Sequence, residues 1–267
     1  MSLIQLSAWD LFMAAGLVLL LAGLSLRMSL GMERGLVIGL IRATAQLLLI
    51  GLVLKVLFQT VTLWLVALVA LVMLSVAGWE VFSRQQRTLA GSSGWMVGAV
   101  SMFISSFVIA VLALTVIVGP DPWYHPQYAI PILGMLLGNT MNGVSLSLDR
   151  LIDTLARERE HVEARLLLGQ SWRLASRDYR RAALRSGLMP VVNAMAAAGL
   201  VSLPGMMTGQ ILAGSPPLEA VKYQLLILFL IVAGTGFGAL AAVELGSRRL
   251  FDERDRLRLD RLRDAGK

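Results

Sequence analysis

The side chains that could do chemistry in this sequence are a few charged and polar residues embedded in long apolar runs. Arg42 and Gln46 lie four residues apart in one such run, so a helix would place both on the same face. A charged side chain deep in a lipid bilayer is costly and rarely faces lipid. We therefore expect both residues to point into the protein, where the arginine would favour an anionic solute.

A second small and polar face is expected where Gly138, Met141, Asn142 and Ser145 recur at helical spacing, with Asn139 beside it. Amide oxygens, backbone carbonyls and thioethers could form a weak and transient site for a metal ion, or the path could carry a chelated metal. The same asparagines could equally hydrogen-bond neighbouring helices, and methionine often only fills gaps in packing. The sequence leaves both interpretations open.

A helix break is expected at Pro204, because proline removes a backbone donor and Gly205 follows it directly. Broken helices persist in membranes only where the freed backbone groups face protein or a water-filled cavity. Pro204 therefore marks either a substrate path or a structural kink. The residues that we assign to a substrate path are Arg42, Gln46, Met135, Asn139, Met141, Asn142, Ser145, Pro204, Met206 and Met207.

Strong metal ligands are scarce in this chain. It has no cysteine, which excludes disulfides, zinc thiolate sites and iron–sulfur clusters. Its two histidines, His125 and His161, fall in loops predicted to lie on opposite sides of the membrane. The acidic residues of the apolar runs, Asp10, Glu80 and Glu244, lie near the ends of those runs, where snorkelling or interface pairing is expected. The metal ligands thus stay unassigned.

The composition indicates a membrane protein. Hydrophobic residues make up 57% of the chain and charged residues 15%, with a mean hydropathy of +0.72, whereas soluble domains carry about 25% charged residues. The net charge of +7 comes largely from arginines that flank apolar segments, which indicates membrane orientation and not nucleic-acid binding. We predict an all-α, polytopic transmembrane bundle that forms one membrane domain over residues 1–267.

Seven apolar runs are long enough to span a bilayer, and they cover residues 6–26, 35–58, 62–82, 95–118, 128–148, 188–212 and 225–245. Cations concentrate in alternate connections, so the N-terminus is predicted outside and the C-terminus in the cytoplasm. No basic residue precedes Arg27, and the first run is therefore predicted to be an uncleaved span. We expect a multi-pass protein of the bacterial plasma (inner) membrane.

The long connection 149–186 is predicted to be a folded helical segment, since it lacks proline and is rich in Arg, Glu and Leu. An amphipathic helix should end at Gly169, and a short basic helix carrying Trp172 should begin after Ser171. Such a hairpin would either bind anionic lipid or dock a partner protein. A basic cytoplasmic tail is predicted at 246–267.

The sequence EARLLLG at 163–169 resembles the EAAxxxG element of ABC permeases, with Arg165 in place of the second alanine. In that family the element is a short cytoplasmic helix that inserts into a cleft on the ATPase subunit and couples ATP hydrolysis to helix movement. The resemblance implies an ATPase-coupling surface formed by Glu163, Ala164, Gly169, Arg173 and Arg177.

A wider resemblance, to the FetB-type iron export permeases and their plant aluminium-tolerance relatives, covers nearly the whole chain. The segments that carry it are RATAQL at 42–47, IPILGM at 130–135, GNTM at 138–141, GLVSLPGMMTG at 199–209 and AVKYQ at 220–224. The resemblance implies the permease subunit of an ABC exporter linked to iron or other metal homeostasis. It also implies a homodimer and a separate cytoplasmic ATP-binding subunit.

The phosphate-binding loop GxxxxGK[ST] does not occur in the sequence, so ATP is expected to be used by the partner subunit and no cofactor is expected on this chain. An intramembrane enzyme is disfavoured because HExxH, GxSxG and paired midspan aspartates do not occur. The alternative that stays open is a secondary transporter or channel driven by an ion gradient.

Overall fold

The structure is a computed structural model, and it describes residues 7–85 and 87–264. Leu6, the predicted start of the first span, and the last three residues of the predicted tail lie outside the described residues. The helices run in chain order as α1 (Ala8–Arg27), α2 (Glu33–Gln59), α3 (Leu63–Ser83), α4 (Ser92–Met102), α5 (Val108–Leu112), α6 (Pro126–Arg157), α7 (Arg159–Leu167), α8 (Trp172–Ala175), α9 (Arg177–Ala197), α10 (Gly205–Leu212) and α11 (Pro217–Leu250).

Short non-α elements complete the described chain. Two π-helical segments, Phe103–Phe107 and Ala113–Val118, flank α5, so that α4 to Val118 is one continuous helix. Strands β1 (Arg87–Leu89) and β2 (Leu262–Asp264) pair antiparallel, and a 3₁₀ turn at Leu259–Arg261 precedes β2. The predicted all-α class is confirmed, with these two short strands as a small addition.

Among the described residues, six helices are long and apolar enough to cross a membrane. They are Ala8–Arg27, Glu33–Gln59, Leu63–Ser83, Gly94–Val118, Pro126–Arg157 and Pro217–Leu250. The remaining predicted span, 188–212, is divided between the end of α9 and the short α10. The polytopic architecture is confirmed, while the count of seven and the orientation of the termini stay predictions.

The tightest packing joins α6, α9 and α11 at small residues. A Cβ on Gly187 of α9 would overlap the hydroxyl of Ser147 and the carbonyl oxygen of Gly143 on α6, and a Cβ on Gly143 would overlap Thr235 of α11. One turn further along the same contact, Gly238 of α11 packs directly against Thr140 of α6. These three helices therefore form the rigid centre of the chain.

The chain after α11 holds together the end of the protein that the predicted topology places in the cytoplasm. Phe251 is 4% exposed and stacks on Trp172 of α8, with ring centroids 5.5 Å apart. The backbone N–H of Trp172 donates to Oδ1 of Asp255, 3.2 Å away, and β2 pairs with β1 of the connection after α3. The predicted basic tail is thus a folded clamp over the predicted coupling segment.

Candidate functional site

A cavity of about 380 Å³ lies between α6, α9, α10 and α11. Its walls include five of the residues predicted to line a substrate path, namely Met135, Asn139, Asn142, Pro204 and Met206. We call this space the central cavity. The predicted break in the 188–212 run forms one of its walls.

The break spans residues 198–204, between the end of α9 and the start of α10. Ala198 leaves the helix with extended backbone angles, and Gly199 turns the chain with a φ of +86°, a conformation that favours glycine. The N–H of Gly199 then donates to the carbonyl oxygen of Ser202 at 2.9 Å. Ala198 and Ser202 both line the central cavity, as expected for irregular backbone at membrane depth.

Two buried polar atoms at the central cavity have no protein hydrogen-bond partner among the described residues: Oε1 of Gln224 and Oγ1 of Thr235. Gln224 is 9% exposed and Thr235 1% exposed. A buried polar atom without a partner costs free energy, so each oxygen would gain from a hydrogen bond to a solute or water that reached it. Neither residue was predicted to line the path, although Gln224 ends one of the segments that carry the family resemblance.

The two asparagines of α6 behave differently. Asn139 Nδ2 donates to the Met135 carbonyl oxygen one turn earlier, at 2.8 Å. Asn142 Oδ1 instead accepts a hydrogen bond of 2.9 Å from Nη1 of Arg84, at the end of α3. Asn142 therefore lines the cavity and also makes the interhelical bond that the sequence offered as its alternative role.

A second, open cavity of about 720 Å³ lies between α2, α3 and α6, and Arg42, Gln46 and Met141 line it. Arg42 was expected to point into the protein, but its side chain is 56% exposed along this open groove. The most apolar stretch of α2 contains no buried residue, so this helix lies at the edge of the helix bundle. Of the remaining predicted path residues, Ser145 is buried in helix packing, and neither Ser145 nor Met207 is among the residues that line the two cavities.

Charged side chains connect the two cavities. Arg42 Nη2 lies 2.6 Å from Oε1 of Glu80, and Arg84 Nε lies 3.3 Å from the other oxygen of that carboxylate. Arg84 then reaches Asn142 at the central cavity. Glu80 is therefore paired on both oxygens, as expected for an acidic residue near a span end, and the cluster has a net positive charge.

The predicted coupling residues lie on α7, α8 and the start of α9. Glu163 pairs with Arg159 at 2.7 Å, and Ala164 lies beside it on α7. Gly169 has a φ of +82° and turns the chain towards α8, as predicted. The two residues just before this turn, Leu167 and Leu168, are 89% and 81% exposed. Neither was predicted to belong to the coupling surface.

The first turns after Gly169 are fixed by Glu244 of α11. Arg173 lies 3.5 Å from this carboxylate and Arg248 2.8 Å, and Arg180 forms a third ion pair with it. The guanidinium of Arg173 also lies over the ring of Trp172, 5.3 Å from its centroid. Arg173 is therefore engaged within the chain, while Arg177 is exposed.

No group of three or more His, Asp or Glu side chains that could hold a metal ion occurs in the described part of the chain. The donors around the central cavity are amide and hydroxyl oxygens and the thioethers of Met135 and Met206. Such ligands bind first-row metal ions more weakly than clusters of carboxylate, imidazole or thiolate groups.

A model of the uncharacterised protein family UPF0014 matches residues 8–251. The chain belongs to the UPF0014 family. It is 40% identical to the UPF0014 membrane protein slr1647 of Synechocystis sp. over 81% of this chain and 83% of that protein. It is 30% identical to the probable iron export permease protein FetB of Escherichia coli, over 95% of this chain and 96% of that protein.

A plant relative, the protein ALUMINUM SENSITIVE 3 of Arabidopsis thaliana, is 32% identical over 87% of this chain and 84% of its own length. No solved structure matches the chain. These comparisons confirm the family resemblance drawn from the sequence, and the UPF0014 chain is a multi-pass membrane protein.

Proposed function

We propose that this UPF0014 protein is the permease subunit of an ABC exporter of the bacterial plasma membrane, driven by ATP hydrolysis on a separate cytoplasmic subunit. The observation that carries the proposal is the course of α9 (Arg177–Ala197). It begins directly after the predicted coupling helices, and it ends at the break that forms a wall of the central cavity. A movement of α7 and α8 would thus be transmitted to the cavity by one helix.

The exposed leucines of the coupling segment support a partner on the cytoplasmic side. Leu167 and Leu168 lie side by side at the turn between α7 and α8, and both are more than four-fifths exposed. Paired apolar side chains at the tip of a hairpin are typical of contacts that insert into a partner. Their place beside the EAAxxxG-like element makes the ATPase subunit the proposed partner.

The chemistry of the cavity suggests the cargo. With neutral oxygens and thioethers as donors, the central cavity suits a weakly held metal ion or, better, a metal complex. The Arg42, Glu80 and Arg84 cluster beside it would favour an anionic complex. The FetB relative is named as a probable iron exporter, and iron is therefore the cargo that we propose.

A homodimer is part of this proposal. Arg42 and Gln46 lie on the open groove between α2, α3 and α6, although charged side chains rarely face lipid. A second copy of the chain that covers this groove would shield both residues. It would also complete a transporter with two permease and two ATPase subunits.

The cargo can be tested in cells that lack the gene, grown in excess iron, by measuring cellular iron. We expect wild type to lower the iron content and Gln224→Leu to fail, because leucine is similar in size but removes the amide of a side chain that lines the cavity. Gln210→Leu is the matched control, since Gln210 also has a buried, unpartnered Oε1 but does not line the central cavity. Equal rescue by both variants would contradict the cavity assignment, and unchanged iron in the deletion strain would contradict the cargo.

A further inference from the structure

A third open cavity, of about 780 Å³, lies between α4, the end of α11 and the chain that follows it. Five arginines line it, together with one aspartate and one glutamate: Arg248, Arg249, Arg254, Arg256, Arg261, Asp252 and Glu253. We call it the basic pocket. It is separate from the central cavity and from the coupling segment, and neither the family resemblance nor the proposed transport assigns it a role.

Some of these arginines are already neutralised within the chain. Arg248 pairs with Glu244 and Arg256 with Asp252. By contrast, Arg249 and Arg254 are exposed and make no ion pair with a carboxylate in the described part of the chain. Two guanidinium groups are thus available at the mouth of the pocket to an anion of matching geometry, such as a phosphate.

The floor of the basic pocket is apolar, which distinguishes it from a site for a free anion. Met96, Val97 and Val100 of α4 contribute to it, as does Leu245 of α11. Exposed apolar residues continue from this floor at four-residue intervals along the helix that runs to Val118, with exposures of 46%, 38%, 49%, 51% and 49% at Met96, Val100, Ile104, Val108 and Leu112.

This stripe and the arginines together match the shape of a lipid. From Met96 to Leu112 the helix rises about 24 Å at about 1.5 Å per residue, more than the roughly 15 Å that the acyl chains of one leaflet occupy, so the stripe is long enough to lie beside them. The arginine distribution predicts that the end of α11 is cytoplasmic. The basic pocket would then lie at the headgroup level of the inner leaflet.

We infer that the basic pocket binds the phosphate of an anionic phospholipid of the inner leaflet, with Arg249 and Arg254 as its ligands and the α4 stripe against its acyl chains. Because the pocket is built partly from the clamp that holds Trp172, the bound lipid would also stabilise the clamp over the coupling segment.

The test uses the purified full-length protein, with retained phosphatidylglycerol counted by native mass spectrometry and its affinity measured by titration. We expect phosphatidylglycerol to bind in preference to phosphatidylcholine, and Arg249→Gln with Arg254→Gln to weaken its binding by about 30-fold, the effect of about two interfacial cations. Val100→Gln should also weaken it. The matched control is Arg27→Gln with Arg34→Gln, which removes two exposed arginines from the same predicted membrane face.

Three results would overturn the inference. If the Arg27/Arg34 control variant loses as much phosphatidylglycerol binding as the Arg249/Arg254 variant, the binding reflects general attraction between the basic face and the membrane. Equal protection against thermal unfolding by inorganic phosphate would indicate a free anion and not a lipid. Unchanged phosphatidylglycerol binding in the double variant would exclude the pocket itself. Thermal unfolding of each variant without added lipid checks that all of them are folded.

Discussion

Nη1 of Arg84 donates a 2.9 Å hydrogen bond to Oδ1 of Asn142, and this bond joins the groove that contains Arg42 to the central cavity. Arg84 also pairs with Glu80 one turn earlier on α3, and Glu80 in turn pairs with Arg42 of α2. This series of polar contacts therefore links α6 through α3 to α2.

The first prediction concerns this bond. Arg84→Met should lower metal export about two- to fivefold, since the solvent-screened bond to Asn142 contributes about 0.5–1 kcal/mol to the arrangement of the path. Thermal stability should fall by less than about 1 kcal/mol, because the arginine is 46% exposed and its ion pair is screened by solvent. Export assays and unfolding curves on the same preparations measure both effects. Export at the wild-type level would contradict a role for Arg84 in the path.

The second prediction concerns helix packing. Gly187→Ala should destabilise the protein by about 1–3 kcal/mol, the usual cost of overpacking, since its new methyl group would overlap Ser147 and Gly143. Gly138→Ala is the control on α6, where nothing lies within 4 Å of the added Cβ, and it should be neutral or slightly stabilising. Thermal unfolding in detergent distinguishes them. Similar unfolding temperatures for both variants would argue against the packed contact of α6 with α9.

Much of the architecture could be predicted because apolar runs and breaks are local signals. Six spans match runs in the sequence, and Pro204 with Gly205 indicated the division of the remaining one. The cavity residues Asn139 and Met206 were also found, since polar or unusual residues beside a break stand out in an apolar chain.

The features that were missed depend on which helices become neighbours. Gln224 and Thr235 lie on an apolar helix whose cavity-facing side is set by α6 and α9, and no local spacing indicates that side. The stacking of Phe251 on Trp172 joins distant parts of the chain, so the tail could only be predicted as basic. Arg42 is on an open groove because α2 is peripheral, which its amphipathic pattern does not show.

The third prediction is a pH dependence of the clamp. The backbone N–H of Arg256 donates to Asp252, and with further bonds from Arg256 and Arg254 it lowers the pKa of Asp252 from 3.8 to about 2. A lowered pKa in the folded state contributes stability that is complete above about pH 4 and is lost as the pH falls through about 2. The turn after α11 should therefore loosen in this range.

A spin label at Glu253→Cys measures that loosening, because the native chain has no cysteine to compete. The label should become more mobile between about pH 4 and pH 2, and it should be mobile at neutral pH when Asp252→Ala is added, because alanine has no side-chain acceptor. If the spectrum at neutral pH is the same with and without Asp252→Ala, the carboxylate does not hold the turn.

The fourth prediction concerns orientation. The arginine distribution places His125 outside and Leu168 in the cytoplasm. Single cysteines at these positions should react in opposite ways: His125→Cys with a membrane-impermeant maleimide in intact cells, and Leu168→Cys only after permeabilisation. The reverse pattern would invert the topology, and with it the leaflet assigned to the basic pocket.

The fifth prediction tests the dependence on a separate ATPase. Leu167→Ser with Leu168→Ser should abolish docking, since both side chains are exposed at the tip of the coupling segment. The matched control is Met28→Ser with Leu30→Ser, which changes two exposed apolar residues, 67% and 56% exposed, in the connection between α1 and α2 on the same predicted face. Both double variants alter exposed residues and should fold like wild type.

The decisive measurement is the ATPase rate of a phosphate-loop subunit reconstituted with each form of this protein in lipid vesicles, together with ATP-dependent movement of the metal complex. We expect stimulation and transport with wild type and with the Met28/Leu30 variant, and neither with the Leu167/Leu168 variant. Transport by wild type without the ATPase subunit, driven by an ion gradient alone, would contradict the proposed dependence on that subunit.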